Sequence, residues 1–376
     1  MSTTSIAMLS DLQTQVRGIT TDKKIFVGFD GFVDKIKKAV RQKHHLKAEY
    51  YKTLKEFSDR IKAATGKSGQ IEMVTQRTKL GGNAPILSNT LGKLGVQSYC
   101  VGSMGYPEKH PVFSSMDSKC EVISALNAGE SDAIEFEDGK MIFSELSVFD
   151  HYDWQHITKT AGIEKLRKVI MNSQLLAFVD WVNLPHASDI WQGVLNDIIK
   201  PSGKQDFLFL FDLCDPSKKT PEEIDEVLDL MSSFSAYGKV TVGLNENETL
   251  KIWAAINGRD TKSKMPPVEE AGDLLYKTIK IDSLLVHPID RTIVYRQHET
   301  LALQGRLVTE PKVLTGGGDN LNAGYCLGLL AGLSLPQCML LGMATSGVYI
   351  QNGISPGIKD IVDYITIWID DLLGNA

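Results

Sequence analysis

Five short, nearly continuous apolar runs constrain the fold of this chain more than any other feature. They are KKIFVGF (23–29), LLAFVDW (175–181), FLFLFDL (207–213), KVTVGLN (239–245) and DSLLVHP (282–288). Strands that are covered by helices on both faces have this unbroken apolar character. Stretches with helical spacing lie between them, at about 84–94, 161–172, 187–199, 220–235, 246–257 and 268–280. The alternation predicts an α/β fold with a doubly wound, mainly parallel sheet.

Length and charge narrow the class of protein. The 376 residues, 43% of them hydrophobic, are ample for one large domain or for a large and a small one. A net charge of −6 gives no overall attraction to nucleic acid or to an anionic membrane. Five scattered cysteines without a CxxC pair indicate neither a disulfide framework nor a zinc site. We therefore expect a cytoplasmic protein that binds small molecules.

Two stretches break the alternation. SDAIEFEDGKMIFSEL (131–146) alternates in polarity on both sides of Asp138-Gly139, which predicts a β-hairpin and hence a small antiparallel appendage. The segment 35–67 holds many lysines and arginines and few acids. This composition predicts either a solvated amphipathic helix or a basic surface, at the rim of a binding site, that attracts anions.

Polar residues close the apolar runs. In open α/β sheets, ligands bind beyond the carboxyl ends of the strands, so these side chains are expected to converge on one edge. They are Asp30, Asp34, Asp180, Asn183, Asp212, Asp215, Asn245, Glu246 and Glu248.

Two glycine motifs precede helix-like stretches. In LTGGGDNLNAGYCLGLLAG (314–332), the amides of Gly316, Gly317 and Gly318 could bind an anion at a helix N-terminus, or the glycines could form a packing turn. Asp319 would open the helix, where a carboxylate also complements the helix dipole. The second motif is GGNAPILSNTLGKLG (81–95). Neither is a Walker A loop or a GxGxxG dinucleotide motif.

Taken in order, these motifs make the chain resemble the ribokinase-like (PfkB) carbohydrate kinases from about Lys24 to the C-terminal helix. The resemblance implies a three-layer sheet with a small β-strand lid, as a single kinase domain over 1–376 with lid segments within about 35–80 and 120–150. It implies ATP-dependent phosphorylation of a hydroxyl group on a sugar or a sugar-derived molecule, with Mg²⁺. It also implies a homodimer formed through the lid.

The same resemblance assigns roles to individual residues. Asp319 would be the base that accepts the hydroxyl proton, and Gly316, Gly317 and Gly318 the anion hole for the phosphoryl group. The substrate would contact Asp34, for which Asp30 is the rival, together with Gly81, Gly82 and Asn83. The nucleotide and metal region would hold Asn245, Glu248, Asp212 and Asn352, with Glu248 nearest the metal. An ordinary helix cap is the alternative for Asn245 and Glu248.

Departures from the family pattern keep other functions open. Val313-Leu314 replace an Asp-Thr pair, which leaves support for a monovalent cation site undecided, and Ile86 replaces an asparagine. VHPIDRT (286–292) lacks two glycines expected near the nucleotide. The segments FDLCDPS and GLNENET are similar to those of adenosine kinases, so a nucleoside kinase is an alternative. A nucleotide- or sugar-binding protein without catalysis is another.

Overall fold

The computed structural model describes residues 2–259, 264–313 and 315–374. Leu314, one of the departures named above, lies outside the described residues. The strands are β1 Ile25–Gly28, β2 Phe32–His44, β3 Lys47–Tyr50, β4 Met73–Gly81, β5 Ser98–Gly102, β6 Cys120–Ser124, β7 Gly129–Phe136, β8 Gly139–Glu145, β9 Leu175–Val179, β10 Phe207–Asp212, β11 Gly238–Asn245, β12 Ser283–His287, β13 Arg291–Arg296 and β14 Glu299–Gln304. The α-helices are α1 Ser2–Arg17, α2 Leu54–Lys62, α3 Asn83–Lys93, α4 Trp154–Ile157, α5 Ile163–Met171, α6 Ala187–Val194, α7 Lys200–Ser202, α8 Pro221–Ser233, α9 Glu246–Ile256, α10 Val268–Thr278, α11 Gly317–Ala331, α12 Leu335–Asn352 and α13 Ile358–Leu373.

The large sheet has the strand order β14-β13-β12-β11-β10-β9-β1-β5-β6. The strands from β12 to β6 in this list run parallel to one another. At the other end of the sheet, β13 and β14 form an antiparallel edge. All five apolar runs are strands, and they are neighbours at the centre of the sheet. The predicted α/β fold is therefore confirmed. The prediction works because strands that are buried on both faces must be apolar throughout.

Helices cover both faces of the large sheet. On one face Phe178, Phe209 and Phe211 pack into a core with residues of α5, α6 and α8. On the other face Val27 and Leu210 pack with residues of α1, α3, α11, α12 and α13. The six predicted helical stretches are all helical, with ends within a few residues of the prediction. None of the helices in the described ranges is long and apolar enough to cross a membrane.

A separate small sheet has the order β3-β2-β7-β8. Strand β4 also belongs to it and pairs with β2 along the same residues as β7 does, so β4 and β7 flank β2. The hairpin predicted at 131–146 is confirmed, since β7 and β8 pair antiparallel around the Asp138-Gly139 turn. The amphipathic helix considered for 35–67 is wrong for its first half, which forms β2 and β3. Only Leu54–Lys62 is helical there.

The reason for this error lies in the spacing of buried residues along β2. Val33, Ile36, Ala39 and Val40 are buried. This spacing of three to four residues is also that of a helix face. Val33 and Ala39 lie on one face of β2 and Ile36 and Val40 on the other, so both faces carry buried residues and the sequence lacks the simple alternation of a half-exposed strand.

Candidate active site

The triglycine forms the start of helix α11. Gly316 is the N-cap, with φ of 93°, a left-handed conformation that glycine adopts at little cost. A Cβ atom at Gly316 would lie 2.8 Å from the Tyr349 hydroxyl, which donates a hydrogen bond to the carbonyl of Thr315. The first amides of a helix have no partner within it, so the N–H groups of Gly317 and Gly318 suit an anion.

Asp319 is the third residue of α11 and is buried. Its Oδ1 has no hydrogen-bond partner in the described part of the chain. Burial raises the pKa of Asp319 well above its ordinary value, and the charges of Asp212, Asp30 and Asp180 raise it further. A hydrogen bond from Asn83 acts in the opposite direction. An unpartnered carboxylate oxygen with a raised pKa is well suited to accept a proton.

A cavity of about 130 Å³ lies between the small sheet and the starts of α3 and α11. Of the predicted site residues, Asp34, Gly82, Asn83 and Asp319 line it together. The remaining lining residues are Phe32, Ile36, Lys79, Ile86, Ser131, Ala133, Lys140, Ile142, Ser144, Asp180, Asn183 and Thr315. The structure thus brings three of the strand-end polar residues, Asp34, Asp180 and Asn183, to the starts of the two helices that follow the glycine motifs.

The two rival aspartates occupy different positions. Asp34 lies on β2, faces the cavity, and accepts a 2.5 Å hydrogen bond from the Ser131 hydroxyl. Gly81 lies directly behind it, where a Cβ atom would overlap the Asp34 carboxylate. Asp30 is fully buried and accepts hydrogen bonds of 2.7 Å from the backbone N–H groups of Asn83 and Ala84. Asp30 therefore caps α3, and Asp34 is the one open to a ligand.

Asp180 and Asn183 also reach the cavity. Asp180 is buried, with φ of 57°, and its Oδ1 accepts a 2.7 Å hydrogen bond from the Asn183 side chain. Its Oδ2 has no partner in the described residues. Burial raises the pKa of Asp180. A hydroxyl donor in the cavity would satisfy this oxygen.

Asn245 and Glu248 form the helix cap that the sequence left as an alternative. The side chain of Asn245 accepts from the backbone N–H of Glu248, and Glu248 accepts from that of Asn245, each at 2.9 Å. Burial raises the pKa of Glu248 to about 8, and the charge of Asp212 contributes. Burial also raises the pKa of Asp212, to about 6, although Asn322 donates a 2.7 Å hydrogen bond to it.

The acidic side chains near the start of α9 are too few to hold a metal ion by themselves. No group of three or more His, Cys, Asp or Glu side chains in the described ranges is arranged to hold a metal ion. Mg²⁺ usually keeps several waters and binds through one or two carboxylates plus substrate phosphates. Glu248 and Asp212 fit that use. A nearby cation would lower the free-energy cost of burying their charged carboxylates.

Three other predicted residues lie elsewhere. Asp215 forms a 2.8 Å ion pair with Lys251, and Glu246 is exposed. Asn352 is exposed at the end of α12, where it lines a second cavity of about 340 Å³ together with residues 306–310, Lys312 and Gln351.

The helices that carry the two glycine motifs are joined to each other. The hydroxyl of Thr90 on α3 donates to Oδ1 of Asn320 on α11 at 2.9 Å. The amide of Asn320 donates in turn to the carbonyl of Gly316 at 2.7 Å. The two helices also pack directly against each other.

Sequence reasoning missed the cations of the cavity and the position of His287. Lys79 and Lys140 line the cavity, and Lys140 donates a 3.1 Å hydrogen bond to the Thr315 hydroxyl. The ring of His287 lies beside Gly318, and a Cβ atom added at Gly318 would be 3.5 Å from that ring. Burial lowers the pKa of His287 to about 4. The alternation along the hairpin places Lys140, Ile142 and Ser144 on one face, but the sequence does not show which face of the hairpin meets the cavity.

Comparison with known proteins identifies the family of the chain. A family model described as prokaryotic ketohexokinase matches residues 2–367. The chain belongs to the prokaryotic ketohexokinase family. A ketohexokinase of Haloferax volcanii is 21% identical over 350 residues, which are 92% of each protein.

Solved structures share the fold of this ketohexokinase family member. A ribokinase of Thermotoga maritima matches with a TM-score of 0.63 and 13% identity over 92% of this chain and 99% of that one. A ribokinase of Arabidopsis thaliana, complexed with ribose and ATP, matches with a TM-score of 0.64 and 14% identity over 91% and 98%. An adenosine kinase of Sinorhizobium meliloti matches with a TM-score of 0.62 and 18% identity over 87% and 94%. The predicted ribokinase-like family and the enzyme class, a carbohydrate kinase, are confirmed.

Proposed function

We propose that the protein transfers the γ-phosphoryl group of ATP to a hydroxyl of a ketohexose. One observation carries the proposal: the unpartnered carboxylate of Asp319 lies in the same cavity as Asp34 and Asn83, beside the first amides of α11. The name of the Haloferax relative supplies the substrate class.

The reaction needs one bond formed, one broken and one proton moved. The sugar oxygen bonds to the γ-phosphorus, the bond from that phosphorus to the ADP oxygen breaks, and the hydroxyl proton passes to Asp319. The amides of Gly316, Gly317 and Gly318 face the equatorial oxygens of the phosphoryl group, where negative charge must be stabilised. Asp34, Asp180 and Asn83 orient the sugar through its other hydroxyls.

The nucleotide lies, in this proposal, along the region from Asn245 to Asn352. Glu248 and Asp212 would hold Mg²⁺, which would neutralise phosphate charge. The cavity at Asn352 takes the adenine. The small sheet acts as a lid over the sugar.

The test is Asp319→Asn in a coupled assay that measures ADP formation with ketohexoses, aldohexoses and nucleosides. Loss of a positioned base costs about 10²- to 10⁴-fold, so we expect kcat to fall by that factor while thermal unfolding occurs at the wild-type temperature or above it. Asp360→Asn is the matched control, since Asp360 is the exposed third residue of α13. An Asp319→Asn variant with near-normal turnover would remove Asp319 from its role as base.

A nucleoside kinase is the second candidate. Phe32, Ile36, Ile86 and Ile142 give the cavity an apolar wall that a base could contact, and an adenosine kinase is among the structural neighbours. Higher kcat/KM for adenosine than for any ketohexose would favour it. Calorimetric binding of sugar or nucleotide without ADP formation over hours would favour a binding protein instead.

A homodimer through the small sheet is also proposed. β8 is the edge strand of that sheet, and Met141 and Phe143 on it are 43% and 50% exposed. An apolar edge strand of this kind readily pairs with another chain. Light scattering coupled to size exclusion measures the mass directly, and a monomer at assay concentration would contradict the proposal.

A further inference from the structure

One face of the small sheet is directed at the substrate cavity. On β2 and β4 the register pairs Asp34 with Lys79 and Ile36 with Arg77. Side chains alternate between the two faces of a strand, so Arg77 and Lys79 project from the same face as Asp34. On β8 the same face carries Lys140, Ile142 and Ser144, all of which line the cavity.

The cations of this inner face are less closely paired with acids than the lysines of the outer face. Neither Arg77 nor Lys79 forms an ion pair in the described part of the chain, and Lys140 has only a loose contact of 3.9 Å with Glu135. The outer face differs: there Lys35 and Lys37 pair closely with Glu130 and Asp132.

The three cations also lie close to one another and to the anion loop. Burial lowers the pKa of Lys79, and the charges of Lys140 and Arg77 lower it further, although Asp34 raises it. The charge of Arg77 also reaches Tyr349, whose hydroxyl bonds to the Thr315 carbonyl. Lys140 contacts the Thr315 hydroxyl directly. Arg77 is exposed, whereas Lys79 and Lys140 are partly buried. Cations that lie close together repel one another, and an anion placed among them stabilises the group.

We propose that Arg77, Lys79 and Lys140 bind the phosphoryl group during its transfer, from the side opposite the glycine amides. This inference rests on the proposed phosphoryl transfer and names further residues for it. The group would pass between two sets of donors, the amides of residues 316–318 and the three side chains. Both would stabilise the charge on its equatorial oxygens as the bond to ADP breaks and the bond to the sugar forms.

The shared chemistry is recognition of a phosphate dianion, which could also belong to a sugar that is already phosphorylated. The contact between Lys140 and Thr315 favours the phosphoryl group that is being transferred, because Thr315 directly precedes the glycines of the anion loop and Asp319. A phosphate on the far end of a sugar would be expected away from that loop.

The experiment compares Arg77→Met, Lys79→Met and Lys140→Met with Lys35→Met and Lys37→Met, which remove lysines from the outer face of the same sheet. We expect kcat to fall about 10²- to 10³-fold in each inner-face variant, by analogy with loss of a single oxyanion donor. KM for the unphosphorylated sugar should change little, and the outer-face variants should keep wild-type kcat. Lys79→Arg and Lys140→Arg should restore part of the loss.

Titration calorimetry with inorganic phosphate gives a readout that does not need turnover. Wild-type protein should bind phosphate at least about tenfold more tightly than Lys79→Met or Lys140→Met, while thermal unfolding shows that the variants are folded. If no sugar is phosphorylated but this difference holds, the proposed substrate fails and the cation site stands. Equal phosphate affinity in inner- and outer-face variants overturns the inference. A preference for sugar phosphates, with KM rather than kcat changed in the variants, overturns it in favour of the substrate's own phosphate.

Discussion

The buried carboxylate of Glu248 makes a quantitative prediction about stability and pH. Unfolded, Glu248 ionises near its ordinary pKa of about 4.3, whereas burial raises the folded pKa to about 8. Between these values the folded chain holds one proton more than the unfolded chain. The free energy of unfolding therefore falls as pH rises, by about 1.4 kcal/mol per pH unit from this group. From pH 5.5 to 7.5 the loss is about 3 kcal/mol.

The perturbation is Glu248→Gln. Glutamine keeps the capping box with Asn245, because its side-chain oxygen accepts the same backbone N–H, and it has no charge to bury. The variant should lose this part of the pH dependence and be more stable than wild type above pH 8. The carboxylates of Asp212, Asp180 and Asp319 are present in both proteins, so the difference between the two curves reports Glu248 together with its interaction with Asp212.

The assay is urea unfolding followed by tryptophan fluorescence at several pH values from 5.5 to 8.5, without Mg²⁺. Glu246→Gln is the control, since Glu246 is exposed in the first turn of the same helix. Addition of Mg²⁺ and ADP should reduce the difference between wild type and Glu248→Gln. Parallel pH profiles for wild type and Glu248→Gln would refute the reasoning, because they would mean that Glu248 titrates alike in both states.

Two glycine substitutions separate catalysis from stability. Gly316→Ala forces a side chain into a left-handed conformation against Tyr349. We expect a cost of about 1–3 kcal/mol in unfolding free energy and a fall in kcat of about tenfold or more from the misplaced amides; unchanged kcat would contradict the anion-hole geometry. Gly193→Ala would press a methyl group into the Trp154 ring far from the cavity, which should cost about 1–3 kcal/mol and leave kcat unchanged. Loss of turnover in a folded Gly193→Ala variant would contradict this.

The large sheet could be predicted because its central strands obey a local rule. A strand covered on both faces must be apolar at every position, as FLFLFDL is, and the sequence shows this directly. The Asp138-Gly139 turn is equally local, so the hairpin was also predictable. The segment 35–44 was not, because its buried residues are spaced like those of a helix and only pairing with β4 and β7 makes it a strand.

The cavity could be predicted only in part. Asp319 and Asn83 were identified through motifs that place a residue at a helix start, and the structure brings them together. Lys79 and Lys140 lie in strands without such a motif. Their importance depends on which face of the small sheet meets the large one, a property of tertiary packing that no local pattern encodes.

The link between Thr90 and Asn320 has a consequence for how the enzyme moves. Because it ties α3 to α11, which also pack directly, we expect these two helices to move together. Any narrowing of the cleft around its ligands would then come from movement of the small sheet, whose strands β4 and β8 carry Lys79 and Lys140, towards the two helices. Donor and acceptor sites would keep a fixed separation throughout the cycle, and only their exposure to water would vary.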